Sequence, residues 1–210
     1  MKTAMILGAA GGIGSAVANR AIETGFQAIQ ISRNGTSSKE FDVQSLSADF
    51  GLSHELERMA FEAAGVSDPV DLWVYAVGDI FSSKVEKTKK TDWMRIMGAN
   101  FFGAHYAVQA SLPLLKEDAH LFFIGAYVDR LIFPGMAAYA SSKAALETYT
   151  AVLAKELPKM KISLVRPAAV DTDFWDKVPF KKPSNAISAE QAAEKIFNAY
   201  DQGLTGLIDL

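Results

Sequence analysis

A glycine-rich turn near the start of the chain constrains the fold more than any other sequence feature. Residues 4–7 are apolar, as expected of a buried strand, and residues 13–22 repeat apolar side chains with helical spacing. Four glycines, at positions 8, 11, 12 and 14, lie where the strand gives way to the helix. A strand, a tight turn and a helix in this order present free backbone N–H groups to the phosphates of a dinucleotide.

The glycines of this turn have different expected roles. Gly8 is expected to make the tight turn, Gly12 to let a pyrophosphate approach the backbone, and Gly14 to let the helix contact the strand. Ile13, at the start of the helix, is expected to bind the cofactor together with these glycines. The spacing is GxxxGxG rather than GxGxxG, and a glycine turn alone often serves only as a connection. The flanking strand and helix favour cofactor binding.

The rest of the chain alternates short apolar runs with helix-periodic segments. Strands are predicted at residues 28–31, 44–48, 70–77, 120–124, 161–165 and 207–209, and helices at residues 53–64, 91–115, 136–157 and 188–200. Ser53 is the expected cap of its helix, Pro113 and Pro158 the expected helix ends, and residues 34–40 a loop. This alternation predicts an α/β fold with a single doubly wound parallel sheet, Rossmann-like, with helices on both faces. We expect one domain over residues 1–210.

Composition excludes several classes of chemistry. The chain has no cysteine, which excludes disulfides and thiolate nucleophiles, and its three histidines lack metal-ligand spacing, so no metal is expected. A formal charge of −3 argues against nucleic acid. The first apolar stretch is too short for a signal peptide, and none approaches the roughly 18 residues of a membrane span. We therefore expect a cytoplasmic protein without membrane partners.

Four further segments, with the glycine turn, resemble the short-chain dehydrogenase/reductase family. They are Gly78 at a strand end, Asn100, the pair Tyr139 and Lys143 in a YxxxK motif, and residues 166–172, in which Pro167 and Thr172 match the family's PGxxxT pattern. The chain departs from the family pattern at three places. Leu7 stands where the family has a threonine before the turn, and Ala168 stands where PGxxxT has its glycine. Of the family's NNAG motif, residues 74–77 keep nothing and only Gly78 matches. The resemblance implies a nicotinamide cofactor near Gly78, Tyr139, Lys143, Pro167 and Thr172.

The end of the second strand bears on which nicotinamide cofactor is bound. An acidic residue usually holds the free ribose hydroxyls there, but this chain has Ser32 followed by Arg33. A guanidinium can bind a 2′-phosphate through its planar fork, so NADP(H) is expected over NAD. Arg33 as a solvated loop residue is the alternative. Asp49 resembles the family's adenine-binding Asp, although it equally fits a residue that precedes a helix.

Tyr139 and Lys143 lie four residues apart in a predicted helix and so share one face. Reduction of a carbonyl needs a proton on oxygen, which the Tyr139 phenol can supply, and a nearby ammonium favours its phenolate. A buried tyrosine beside a solvent-directed lysine is the structural alternative. The resemblance to the family implies that Lys143 also binds ribose hydroxyls of the cofactor. It further implies that Asn100 binds a water that links Lys143 to solvent. From the sequence alone Asn100 is equally a helix cap or an interior amide.

One position departs from the family pattern in its chemistry. The family has a serine thirteen residues before the tyrosine, which donates a hydrogen bond to the substrate carbonyl, and this chain has Ala126. Loss of such a donor typically costs on the order of 10²–10³ in rate. Tyr127 and a backbone N–H are candidate replacements. Either Tyr139 polarises the carbonyl alone, or the chemistry has changed, or the protein binds the cofactor without turnover.

Residues 173–187, called the lid segment below, correspond to the family's substrate lid and are short. Their aromatic and apolar residues predict an open apolar pocket, to which Phe81, Phe133 and Met136 are expected to contribute. Lys177, Lys181 and Lys182 either steer an anionic substrate or form a solvated basic loop. Wide apolar faces on the helices predicted at residues 91–115 and 136–157 are similar to the family's dimer interface, so a homodimer or homotetramer is expected.

Two hypotheses follow from the sequence. The first is an NADPH-dependent oxidoreductase that transfers hydride to a small carbonyl or alcohol substrate, with Tyr139 as acid/base supported by Lys143 and Asn100. The second is a non-catalytic NADP-binding redox sensor or interaction protein of the same fold, which the alanine at position 126 favours.

Overall fold

The computed structural model describes residues 1–35 and 43–210, with the side chain of Val43 excluded, and contains a seven-stranded parallel sheet. Its strands are β1 (Lys2–Leu7), β2 (Phe26–Ser32), β3 (Val43–Ser47), β4 (Val70–Tyr75), β5 (Leu115–Ile124), β6 (Lys161–Arg166) and β9 (Gly206–Asp209), in the order β3-β2-β1-β4-β5-β6-β9. Two short strands, β7 (Val170–Asp171) and β8 (Ile187–Ser188), pair with each other at the two ends of the lid segment. The sequence did not predict this small sheet. Most of the loop predicted at residues 34–40 lies outside the described residues.

Helices cover both faces of the large sheet. They are α1 (Gly12–Glu23), α2 (Ser53–Ala64), α3 (Lys90–Met97), α4 (Gly103–Ser111), α5 (Ala137–Glu156) and α6 (Ala189–Gln202). The buried side chains of α1 and α6 share one core with one face of the sheet, and those of α2, α4 and α5 share another with the opposite face. The predicted doubly wound fold is confirmed.

The central strands bury both of their faces, which explains their nearly continuous apolar sequence. In β4, Trp73 and Tyr75 pack into the core under α2, α4 and α5, while Leu72 and Val74 pack under α1 and α6. Successive side chains of a strand point to opposite faces, so each of these strands contributes to both cores. The strand order reverses between β1 and β4, and a ligand cleft is expected at the carboxyl ends of the strands there.

Two helix predictions were wrong in detail. Residues 91–115 do not form one helix: a π-helical turn at Gly98–Phe102 separates α3 from α4, and Leu115 already begins β5. Pro113 lies in a 3₁₀ turn at Leu112–Leu114 that ends the helical segment, as its position predicted. Ser53 does not cap α2, because the cap residue is Leu52 and no side chain bonds the first turn. At α6 a capping box joins Ser188 and Gln191.

No helix in the described part of the chain has the length and apolarity needed to cross a membrane.

A buried histidine links β5 to β6 and to the residues before β9. His120 is 2% exposed, and its Nε2 lies 2.8 Å from Ser163 Oγ, which in turn donates to the Leu204 carbonyl oxygen. Ser163 therefore accepts from Nε2–H, and Nδ1 is buried without a hydrogen-bond partner among the described residues. Burial, with the nearby charge of Lys161, lowers the pKa of His120 to about 4.

Stability is expected to depend on His120 between pH 6.5 and 4. In this range the unfolded imidazole takes up a proton that the folded one resists, so acidification lowers the free energy of unfolding by about 1 to 3 kcal/mol through this group. Urea denaturation at several pH values should show a smaller fall for His120→Gln than for the wild type. His54→Gln, at an exposed position, is the matched control. Identical pH dependence in the wild type and His120→Gln contradicts the assignment.

Candidate active site

A cleft of about 780 Å³ opens at the carboxyl ends of the strands. Its walls come from the glycine turn, the ends of β4 and β5, the first turns of α5 and the segment that follows β6. The predicted site residues that line it are Gly12, Ile13, Gly78, Tyr139, Lys143, Pro167 and Thr172. Gly8, Gly14, Ser32, Arg33, Asp49 and Asn100 are not among the described lining residues. Seven of the predicted site residues thus meet in one cleft.

Two of the predicted glycines shape the turn. Gly8 has a φ of +89°, and a Cβ there would lie 2.8 Å from the carbonyl carbon of Ala76. A Cβ at Gly14 would lie 2.1 Å from the carbonyl oxygen of Gly8. Since each position excludes a side chain through contact with backbone, Gly8 and Gly14 fix the close packing of the turn, β4 and α1.

Gly12 connects the turn to the opposite wall of the cleft. A Cβ at this residue would lie 2.3 Å from Thr172 Cγ2, so the glycine lets Thr172 approach the start of α1. The N–H groups of Gly12, Ile13 and Gly14 make no backbone hydrogen bond with any described residue, and the first turn of α1 contains no acidic side chain. Free donors at a helix N-terminus in the cleft fit the pyrophosphate of a dinucleotide.

The three residues assigned to the adenosine end lie outside the cleft lining. Ser32 is buried, and its hydroxyl donates to the Gly35 carbonyl oxygen at 2.7 Å. Arg33 is exposed and makes no ion pair with any other described residue. Asp49 is exposed and its Oδ1 accepts from the N–H of Gly51 at 2.9 Å. Arg33 and Asp49 are thus both exposed to a ligand, whereas Ser32 is buried.

Tyr139 and Lys143 project from the first turns of α5 into the cleft, where they are 7% and 4% exposed. Lys143 Nζ donates to the carbonyl oxygen of Ile124 at 2.8 Å and lies 5.8 Å from the centroid of the Tyr139 ring. Burial raises the pKa of the Tyr139 phenol and lowers that of Lys143 to about 8. In this environment Tyr139 holds its proton at neutral pH, and the expected stabilisation of its phenolate is not the dominant effect.

Asn100 lies in the π-helical turn and is fully buried. Its Oδ1 accepts from the N–H of Asp79 at 2.7 Å, and its Nδ2 donates to the Asp79 carbonyl oxygen at 2.9 Å and to Ser142 Oγ at 2.8 Å. Ser142 Oγ donates in turn to the carbonyl oxygen of Tyr139. Of the two readings from the sequence alone, the structure supports the interior amide. Asn100 joins the end of β4 to the helix that carries Tyr139 and Lys143.

The substrate end of the cleft is apolar. Ile80, Met136 and Tyr139 form a buried cluster, against which Phe174 of the lid segment packs with its ring centroid 6.0 Å from that of Tyr139. Phe133 and Met136 line the cleft as expected, but Phe81 does not and instead lies under the Arg95 guanidinium. Ala126 lines the cleft without a hydrogen-bonding side chain.

An ion-pair group that the sequence did not predict connects the lid segment to the end of β4. Asp79 pairs with Arg95 of α3 and, at 3.1 Å, with Lys177 of the lid segment. Its position directly after Gly78 was the available signal, but the partners are distant in sequence. Lys177 therefore has a structural partner, as does Lys182, which pairs with Asp171.

Known protein sequences resemble this chain over most of its length. A sequence model of the short chain dehydrogenase family matches residues 2–182. An uncharacterized oxidoreductase from Staphylococcus aureus is 28% identical over 182 residues, which cover 81% of this chain and 79% of that protein. The chain belongs to the short-chain dehydrogenase family and is an oxidoreductase of that family.

Solved structures share the fold at low sequence identity. A 3-ketoacyl-(acyl-carrier-protein) reductase from Brucella melitensis, complexed with NADH, has a TM-score of 0.89 at 20% identity and covers 100% of this chain and 96% of its own. An alcohol dehydrogenase from Thermococcus sibiricus, complexed with 5-hydroxy-NADP, has a TM-score of 0.87 at 21% identity, with 100% and 95% covered. The two differ in cofactor type, so the shared fold leaves the choice between NAD and NADP to the residues of this chain.

Asn100→Ala is expected to lower the free energy of unfolding by about 2 to 4 kcal/mol, because it leaves buried groups of Asp79 and Ser142 without their hydrogen bonds. Urea denaturation measures the loss. Asn198→Ala, on an exposed face of α6, should change it by less than about 0.5 kcal/mol. Equal stability of Asn100→Ala and the wild type contradicts a bridging role for this amide.

Proposed function

We propose that the protein is an NADPH-dependent reductase of a small carbonyl compound, with Tyr139 as the acid that protonates the carbonyl oxygen. The observation that carries this proposal is the burial of Tyr139 and Lys143 together in an apolar cleft that also contains the glycine turn. In the cleft the phosphate-binding donors and the acid face one space, as a cofactor-dependent transfer to a carbonyl requires.

In this proposal the glycine turn, Tyr139 and Lys143 have different roles. The free N–H groups of Gly12, Ile13 and Gly14 bind the pyrophosphate, and Thr172 lies against the same turn. When bound, the nicotinamide cofactor supplies the hydride. Tyr139 delivers the proton to the carbonyl oxygen, and burial favours its protonated form before the reaction. Lys143, held by the Ile124 carbonyl, places positive charge near the oxygen from which the proton leaves.

Arg33 supports the preference for NADPH. It follows β2, where an acidic side chain would repel a 2′-phosphate, and Ser32 at that strand end turns its hydroxyl to Gly35 instead. The guanidinium is exposed and without an ion-pair partner in the described chain, so it meets a phosphate without breaking an existing contact. Cytoplasmic location, a single domain and homo-oligomeric assembly remain predictions.

A second candidate function is non-catalytic binding of NADP by the same fold. Ala126 favours it, because the methyl group at this position in the cleft donates no hydrogen bond to a substrate carbonyl. The two candidates share the cofactor and differ in turnover.

Tyr139→Phe is expected to lower kcat for NADPH-dependent reduction of a carbonyl panel by roughly 10²- to 10⁴-fold, because it removes the proton donor. Absorbance of NADPH follows the reaction, and calorimetric titration should give the same NADPH affinity for both proteins. Tyr149→Phe, on the same helix but outside the cleft lining, is the matched control. Equal activity of Tyr139→Phe and the wild type removes Tyr139 from the mechanism.

Ala126→Ser distinguishes the two candidate functions in the same assay. A wild type that turns over, with Tyr139→Phe impaired, supports the reductase. Activity that exists only after Ala126→Ser supports the non-catalytic binder, since the added hydroxyl then supplies the missing donor.

Arg33→Ala is expected to weaken NADPH binding by about tenfold and to leave NADH binding within about twofold, because only NADPH carries the 2′-phosphate. Calorimetric titration of both cofactors into the wild type and the variant measures this, and NADH serves as the internal control. Tighter binding of NADH than of NADPH by the wild type overturns the assignment of Arg33.

A further inference from the structure

A short turn after β5 holds an arginine at the substrate end of the cleft. The N–H of Arg130 donates to the carbonyl oxygen of Tyr127 at 3.0 Å, which closes the turn, and the guanidinium carbon of Arg130 lies 4.4 Å from the centroid of the Tyr127 ring. Both residues line the cleft. Stacking on an aromatic face orients the guanidinium and leaves its edge donors open.

The Arg130 guanidinium lacks a counter-charge. It makes no ion pair and no side-chain hydrogen bond with any other residue in ranges 1–35 and 43–210, and the adjacent Asp129 does not reach it. Arg166 provides the contrast: its guanidinium lies 5.1 Å from the same Tyr127 ring but is neutralised by Asp209, with bonds of 2.8 and 3.2 Å, and by Glu147 at 3.9 Å. Of the two arginines against Tyr127, the one that lines the cleft is thus the one left without a carboxylate.

Most other charged groups of the cleft have a hydrogen-bond or ion-pair partner or lie away from the substrate end. Lys177 pairs with Asp79, Asp171 pairs with Lys182, and Lys143 donates to the Ile124 carbonyl. Asp173 follows Thr172, which contacts the glycine turn, and Glu190 lies beside α1, where it also borders a second cavity with Ala16 and Asn19. Glu190 is therefore at the cofactor end, whereas Asp173 lies between Thr172 and Phe174, which packs against Tyr139.

Arg130 is close to the reacting centre along the chain and in space. Leu131, the next residue, packs against the cluster of Ile80, Met136 and Tyr139. Ala126, four residues earlier, is the position without a donor. Arg130 therefore adjoins the apolar wall that contains Tyr139.

We infer that the turn from Tyr127 to Arg130 binds an anionic group of the substrate, so that the substrate class is carbonyl compounds bearing a carboxylate or a phosphate. The inference rests on the proposed function. The planar fork of Arg130 matches two oxygens of such a group, and the Tyr127 hydroxyl, which has no hydrogen-bond partner among the described residues, can donate a further bond. An anionic group held by Arg130 positions the carbonyl against Tyr139, which offsets the donor absent at Ala126.

The test compares matched charged and neutral ketones. Benzoylformate and its methyl ester differ in a carboxylate, and dihydroxyacetone phosphate and dihydroxyacetone differ in a phosphate. Arg130→Gln is expected to lower kcat/KM for the preferred anionic member by roughly ten- to hundredfold and to leave its neutral partner within about threefold. Arg130→Lys, which keeps the charge without the planar fork, should recover only part of the loss. The pair that responds identifies the anion.

Lys181→Gln is the matched control, since it removes one positive charge from an exposed residue of the lid segment that has no ion pair among the described residues. It should leave the preference for the anionic member unchanged. Equal kcat/KM for anionic and neutral members in the wild type, or a preference that Arg130→Gln leaves intact, overturns the inference while the proposed function stands.

Calorimetric titration of each anionic ketone into the protein saturated with NADP⁺ gives a readout without turnover. Affinity that Arg130→Gln weakens by roughly tenfold or more, in a protein that reduces none of the four ketones, supports the binding site and counts against the proposed reductase. Affinity that is the same for the wild type and Arg130→Gln overturns the site.

Discussion

The site depends on a single buried amide. Asn100 takes both backbone groups of Asp79 and the hydroxyl of Ser142, so one side chain fixes the end of β4, the π-helical turn and α5 relative to one another. Tyr139 and Lys143 are placed by α5, and Gly78 precedes Asp79, so these three residues of the cleft lining depend on the same amide. Removal of a buried amide that both donates and accepts hydrogen bonds leaves several polar groups unpaired and lowers the free energy of unfolding. The position of the surrounding cleft residues therefore depends on Asn100.

Burial shifts the pKa of Tyr139 more than the neighbouring charge of Lys143 does. Tyr139 is 7% exposed, and burial raises the pKa of its phenol, which therefore keeps its proton. Burial in the same cleft lowers the pKa of Lys143 to about 8, so its ammonium remains the main form at neutral pH. A bound ligand that brings negative charge near Lys143 favours its ammonium further.

The sequence predicted the sheet, the helices on both faces and the residues that meet in the cleft, because periodicity and glycine geometry are local properties. Its errors lie where tertiary contacts decide. The π-helical turn does not interrupt the apolar periodicity, so the sequence of residues 91–115 predicts a single helix. Serine is a common helix cap, but the residue in the cap position of α2 is Leu52 rather than Ser53. The pairing of Asp79 with Lys177 and the isolation of Arg130 depend on residues brought together only by folding.

Two contacts near the start of the lid segment differ in their physical nature. At Lys177 the attachment is a partly exposed ion pair with Asp79, and at Phe174 it is aromatic packing against Tyr139. Ionic strength screens the first, whereas moderate warming strengthens the second relative to the cold. These two contacts therefore respond to different solvent variables. Salt weakens the pair of Lys177 with Asp79, and cold weakens the packing of Phe174 against Tyr139.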